Sequence, residues 1–129
     1  MEQVGQAPEL AGLVCEAFIC EGFVSKSKLM ANANVVYLRF DGTWHKLIID
    51  CGVILWWPVR GEPSPWAIAS EGWEYPHVDV GILADVVGHR LRDYRMETVV
   101  EGGRVIFYFD NDRMITINNE NDASSFRIS

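Results

Sequence analysis

Five residues of one short stretch could do recognition chemistry together. Trp56, Trp57, Trp66, Trp73 and Tyr75 all fall within twenty positions, with Glu71 and Glu74 beside them. Large rings are favoured anchors at interfaces, and an indole face attracts cations. Two uses follow: the rings plug the ends of a β core, or they form an aromatic, acidic surface for a basic partner. Strand alternation sends one ring of the Trp56–Trp57 pair inward and the other outward.

Other candidates are weaker. His45, His77 and His89 do not stand four apart, and no H-E-x-x-H is present, so no metal motif is read. Cys51 follows Asp50 and could meet a histidine in space as a nucleophile, but buried inert thiols are the commoner case. Asp50 and Glu120 could act as paired carboxylates, yet acids at strand ends are usually solvated. Asp110-x-Asp112 starts like a calcium loop but lacks the later glycine and glutamate. There is no G-x-S-x-G elbow and no phosphate-cradling glycine loop; Gly102-Gly103 reads as a turn before a strand. The expectation is a protein with no cofactor, no metal and no catalytic motif.

The elements that must position these residues read as β. The chain has 129 residues, 49% hydrophobic and 22% charged, which suits one globular domain over 1–129. Eleven Lys+Arg against eighteen Asp+Glu give −7, which argues against nucleic acid as a partner. Nothing in MEQVGQAPELAG reads as a signal peptide, and no apolar run is long enough to span a membrane. With three cysteines and no secretory signal, reduced thiols in a cytoplasm are expected. Cys15 and Cys20, five apart, should point to opposite faces of one strand.

Two stretches match in order. Gly12 and Gly88 each open a unit, Phe18 matches Tyr94, and Phe40-Asp41 matches Phe109-Asp110 at a turn. Each unit then reaches an acid six positions before an aromatic, Asp50 to Trp56 and Glu120 to Phe126. We read an internal repeat, 10–57 and 86–128, joined by a Trp- and Pro-rich connector over 58–85. The first copy is seven residues longer between glycine and phenylalanine (28 against 21), which places a loop at Ser25–Asn34. Asp41-Gly42 between alternating apolar runs signals a tight hairpin.

Strands are predicted near 13–23, 35–40, 44–50, 53–57, 89–99, 104–109, 113–118 and 124–128. A short helix is predicted within 79–87 and a helical turn at 8–11. The inward set reads as Val36, Leu38, Phe40, Leu47, Ile49, Val105, Phe107, Phe109, Ile115 and Ile117. The expected fold is mainly β: two antiparallel units forming a sandwich or partly closed barrel. A free strand edge on such a unit could pair across a two-fold axis to make a homodimer.

The unit built on Leu10, Gly12, Phe40-Asp41-Gly42 and Asp50, and again on Gly88, Phe109-Asp110 and Phe126, resembles small uncharacterised bacterial β-rich cytoplasmic proteins. Those carry a glycine-start, double-hairpin unit once or twice. The type is similar to acidic immunity proteins that neutralise bacterial toxins. The resemblance implies a structural unit and no catalytic residues. The function expected is therefore binding of another protein, basic in charge. The alternative expected is a small-molecule site in an aromatic pocket.

Overall fold

Alternation of apolar and polar residues dictates the strands, and the tight turns between them need positive φ. The computed structural model describes the backbone of residues 2–129 and the side chains from Gly5 onward. Its elements are β1 (Glu2–Val4), β2 (Cys15–Ser25), β3 (Lys28–Phe40), β4 (Thr43–Asp50) and β5 (Val53–Val59). The connector supplies β6 (Trp66–Ile68), a 3-10 turn (Ala69–Glu71), β7 (Trp73–Tyr75), β8 (His77–Asp79) and α1 (Val80–Leu83). The last unit is β9 (Leu91–Val99), β10 (Gly102–Phe109), β11 (Met114–Glu120) and β12 (Ala123–Ile128).

The protein is mainly β, two sheets packed as a sandwich. An eight-stranded sheet runs β1-β5-β4-β3-β2-β7-β6, with β8 also on β2, and a four-stranded sheet runs β12-β11-β10-β9. Each unit is an antiparallel meander; β1 alone of the described strands pairs in parallel, on β5. All ten residues of the predicted inward set are buried.

Where the units meet, the backbone bonds come in exchanged pairs. Gly12 N–H donates to Leu91 O (2.7 Å) and Gly88 N–H to Cys15 O (2.8 Å). Leu91 N–H donates to Leu13 O (2.9 Å) and Cys15 N–H to His89 O (2.8 Å). The Val14–Arg90 bridge lies at their centre. Gly12 and Gly88 take φ of 85° and 89°, a conformation glycine adopts without a side-chain clash. Behind this seam Phe18 meets Phe107 edge-on at 5.1 Å, Phe107 stacks on Tyr94 at 5.6 Å, and Tyr94 meets Trp56 at 5.5 Å. These rings cross from one sheet to the other and form the centre of the core.

Several expectations are corrected. The loop at Ser25–Asn34 is instead the end of a long hairpin: only Lys26 and Ser27 turn, with φ of 50° and 67°, and the added residues lengthen both strands. The extension reaches the second sheet, where Asn32 Oδ1 accepts the Phe126 N–H at 3.0 Å. Cys15 and Cys20 are both buried in the core, because a bulge between Cys15 and Ala17 shifts the alternation by one residue. The predicted helical turn at 8–11 is not formed, and the predicted helix shrinks to α1, with Asp79 capping it through the Ile82 N–H. β5 continues through Pro58, whose missing N–H costs nothing there because β1 covers only Val53–Leu55.

Gly102 and Gly103 lie in β10 rather than in a turn. A Cβ on Gly102 would stand 1.6 Å from the Asn119 carbonyl oxygen. Gly102→Ala must therefore push β10 from β11, and we expect a loss of at least ~1–3 kcal/mol. Gly42→Ala meets no atom within 4 Å but sits at φ 73°, and should cost about 1–2 kcal/mol. Urea unfolding midpoints at constant slope check the order, Gly102→Ala below Gly42→Ala.

Candidate binding face

The outer face of the larger sheet carries the exposed rings. Ile19, Tyr37, Lys46 and Trp57 stand in one cross-strand row. Alternation resolves the Trp56–Trp57 pair: Trp56 is 1% exposed in the core and Trp57 37% exposed outside. Trp56, grouped with the candidate rings by sequence, therefore lies outside the exposed face; its indole N–H points to Met96 Sδ at 3.4 Å. Lys46 Nζ sits 5.1 Å from the Trp57 ring and 5.9 Å from that of Tyr37.

The connector runs along the free edge of β2 and folds its rings back onto this face. β8 pairs His77 with Glu21, and β7 pairs Glu74 with Val24 and Trp73 with Ser25. Pro76 joins the two short strands, and its carbonyl accepts the Gly22 N–H at 2.8 Å. β6 lies outside β7 with Trp66 opposite Tyr75. Their rings stack at 3.9 Å and 9°. Tyr75 stacks in turn on Phe23 at 5.3 Å, and Phe23 meets Trp73 edge-on at 6.0 Å.

A buried acid holds this ladder. Glu21 is 3% exposed. Its Oε1 accepts the Trp66 indole N–H at 3.2 Å and faces His77 Nε2 at 2.9 Å. Burial, and then the Glu21 charge, push the Tyr37 hydroxyl up from its ordinary pKa. The result is one continuous aromatic strip with Trp66 49% exposed at its end. Glu71 and Glu74 are exposed on the connector, Glu74 on the opposite face of β7 from the half-buried Trp73 and Tyr75. An open depression of about 380 Å³ is lined by Pro65, Trp66, Ala67, Glu74, Tyr75 and Pro76.

Sequence reasoning missed Glu21. The available signal was a single acid inside the apolar run Phe18–Val24, a place where charge is rare unless paired. It also missed Asn119, 1% exposed, whose Nδ2 donates to Ile49 O (3.1 Å) and Ser124 Oγ (3.0 Å) and so ties the sheets together. His89 pairs with Asp110 at 3.0 Å on the exposed surface, and burial pushes His45 down in pKa. Among the described residues, no helix is long and apolar enough to cross a membrane.

Comparison with known proteins returns no matching family model, no matching curated protein and no matching solved structure.

The thiols separate by environment. Burial pushes Cys15 up to about 12 and Cys20 higher still. Cys51 is exposed, at φ 50° in the β4–β5 turn. Its Sγ–H donates to Asp122 Oδ1 at 3.3 Å, and Asp50, Cys51 and Asp122 bring their ligand atoms within 4.8 Å of one another. No histidine belongs to that cluster. The Asp122 hydrogen bond, then the charges of Asp122 and Asp50, raise the Cys51 pKa and disfavour the thiolate that a nucleophile needs. We expect a thiol reagent to modify one cysteine in the native chain and three on unfolding. Asp122→Asn should speed the Cys51 reaction and move its pH midpoint down. Two native thiols, or a midpoint unmoved by that change, would contradict this account.

Proposed function

We propose that the chain is a non-enzymatic binding protein whose partner is another protein of basic charge, an immunity-type pairing. The observation that carries this reading is Trp66, a half-exposed ring held at once by the Tyr75 stack and the bond to buried Glu21. A ring fixed before binding loses little freedom on binding, and tryptophan is among the strongest interface anchors. The exposed acids Glu62, Glu71 and Glu74 on the connector, and the net charge of −7, favour a basic partner and faster encounter with it. The small-molecule reading has less support, because the aromatic depression is open and does not enclose a ligand.

Affinity capture from the source cell lysate at low salt, with the tagged full chain, tests the reading. One stoichiometric basic protein is expected. Capture should weaken at about 0.5 M salt, where the Debye length is roughly 4–5 Å. Trp66→Ala should weaken binding by about 30-fold or more, as loss of a central anchor does. A thermal melt of the same variant separates loss of contact from loss of fold. An empty capture, or one indifferent to Trp66, would count against the proposal.

A further inference from the structure

A strand at the edge of a sheet carries unpaired backbone groups, and proteins shorten, cover or guard such edges. β1, β6 and β8 are edge strands of three residues each. β12 runs beside the β2–β3 hairpin, where Asn32 takes its Phe126 N–H. β9 is the exception. It is nine residues long and contains no proline, glycine or lysine. Beyond Leu91 it pairs with β10 alone.

Alternation fixes which of its backbone groups are free. Phe109 donates to Arg113 O and accepts from the Asp112 N–H, so its backbone faces away from β9. Tyr108, Ile106, Arg104 and Gly102 therefore face β9 and bond their opposites Asp93, Arg95, Glu97 and Val99. Tyr94, Met96 and Thr98 turn their N–H and C=O groups outward, where among the described residues no hydrogen bond reaches those groups. Leu91 is not part of this free edge, because Leu13 and Gly12 take its N–H and C=O.

The charges that could guard the edge are turned over their own sheet. Arg92 donates to Asp112 at 2.7 Å, Arg95 lies over the Tyr108 ring at 5.2 Å, and Glu97 faces Arg104 at 3.8 Å. Their order also makes the strand complementary to itself. In antiparallel self-pairing, outward residues must oppose outward residues. A two-fold axis at Met96 is the one that pairs Tyr94, Met96 and Thr98 with one another, Tyr94 opposite Thr98 and Met96 opposite Met96. It sets Arg95 opposite Glu97 on both sides of the axis, a favourable cross-strand pair. An axis at Arg95 would set Arg95 on Arg95 and Asp93 on Glu97, and an axis at Glu97 would set Glu97 on Glu97. An axis at Tyr94 would carry the strands onto Leu91, whose groups are taken.

We propose that β9 pairs antiparallel with β9 of a second copy about a two-fold axis at Met96, joining the smaller sheets of two chains into one. This homodimer contact lies on the other sheet from the aromatic strip and is independent of it.

Sedimentation velocity of the full chain over a concentration series tests the proposal. The contact is small, so a monomer–dimer dissociation constant on the order of 1–100 μM is expected. Thr98→Pro removes an outward N–H that bonds nothing within the chain, and should weaken the dimer at least about tenfold because the axis repeats the loss. Arg95→Glu sets like charges opposite each other and should weaken it about fivefold or more. A thermal melt at monomeric dilution checks that each variant is folded. In a Cys51→Ser chain, oxidation of the double variant Arg95→Cys, Glu97→Cys should give a covalent dimer, and Arg95→Cys alone should not.

A chain that stays monomeric up to about 1 mM would overturn the proposal. So would a dimer that both Thr98→Pro and Arg95→Glu leave intact. A covalent dimer from Arg95→Cys alone would overturn the register. A dimer lost in Trp66→Ala and kept in Thr98→Pro would move self-association to the aromatic strip and remove β9 from it.

Discussion

A carboxylate withdrawn from water must be met by donors, because an unpaired buried charge costs several kcal/mol. Glu21 imposes that condition on the outer face of the larger sheet. Two donors reach one of its oxygens, and both come from the connector, 45 and 56 residues further along the chain. The position of the connector follows. β8 must lie against β2 to deliver His77, and β6 must lie beyond β7 to bring the Trp66 indole back over the sheet. The stacked rings of Trp66, Tyr75 and Phe23 then fix the strip sideways. The aromatic connector is thus a cover on the sheet and, at its exposed end, a presented surface.

That arrangement needs a stiff support, and the paired meanders supply it. The exchanged backbone bonds around Gly12 and Gly88 fix one unit against the other. The rings of Phe18, Phe107, Tyr94 and Trp56 fill the space behind them. Asn119 adds a polar tie to the Ile49 carbonyl. β2 belongs to both systems. Phe18 and Cys20 on it face the core, while Glu21 and Phe23 receive the connector.

What could be read from the sequence was what depends on neighbours along the chain. Alternation in Val36–Phe40 and Val105–Phe109 marked buried strands, and Asp41-Gly42 marked a turn, because both signals act over a few residues. That one ring of the Trp56–Trp57 pair faces out followed from the same alternation; which one did not. What escaped depends on distant partners. A bulge moved Cys15 onto the same side as Cys20, and nothing local announces a bulge there. The stretch after Ser27 is polar, yet it is a strand because β2 and β12 lie beside it. Gly102 looked like a turn glycine, whereas a carbonyl across the strand pair excludes a side chain. Trp66 was singled out by type, but its clamp on Glu21 joins residues that no sequence spacing relates.

The central claim is that Glu21 holds Trp66 in place. Hydrogen exchange at the indole N–H groups of the native chain tests it most directly. Trp66 is more exposed than Trp57, at 49% against 37%, so exposure alone would make its N–H the faster to exchange. The bond to Glu21 predicts the reverse: slower exchange at Trp66, brought up to the Trp57 rate or beyond by Glu21→Ala. A Trp66 indole that exchanges as fast as that of Trp57 in the unaltered chain would contradict the account.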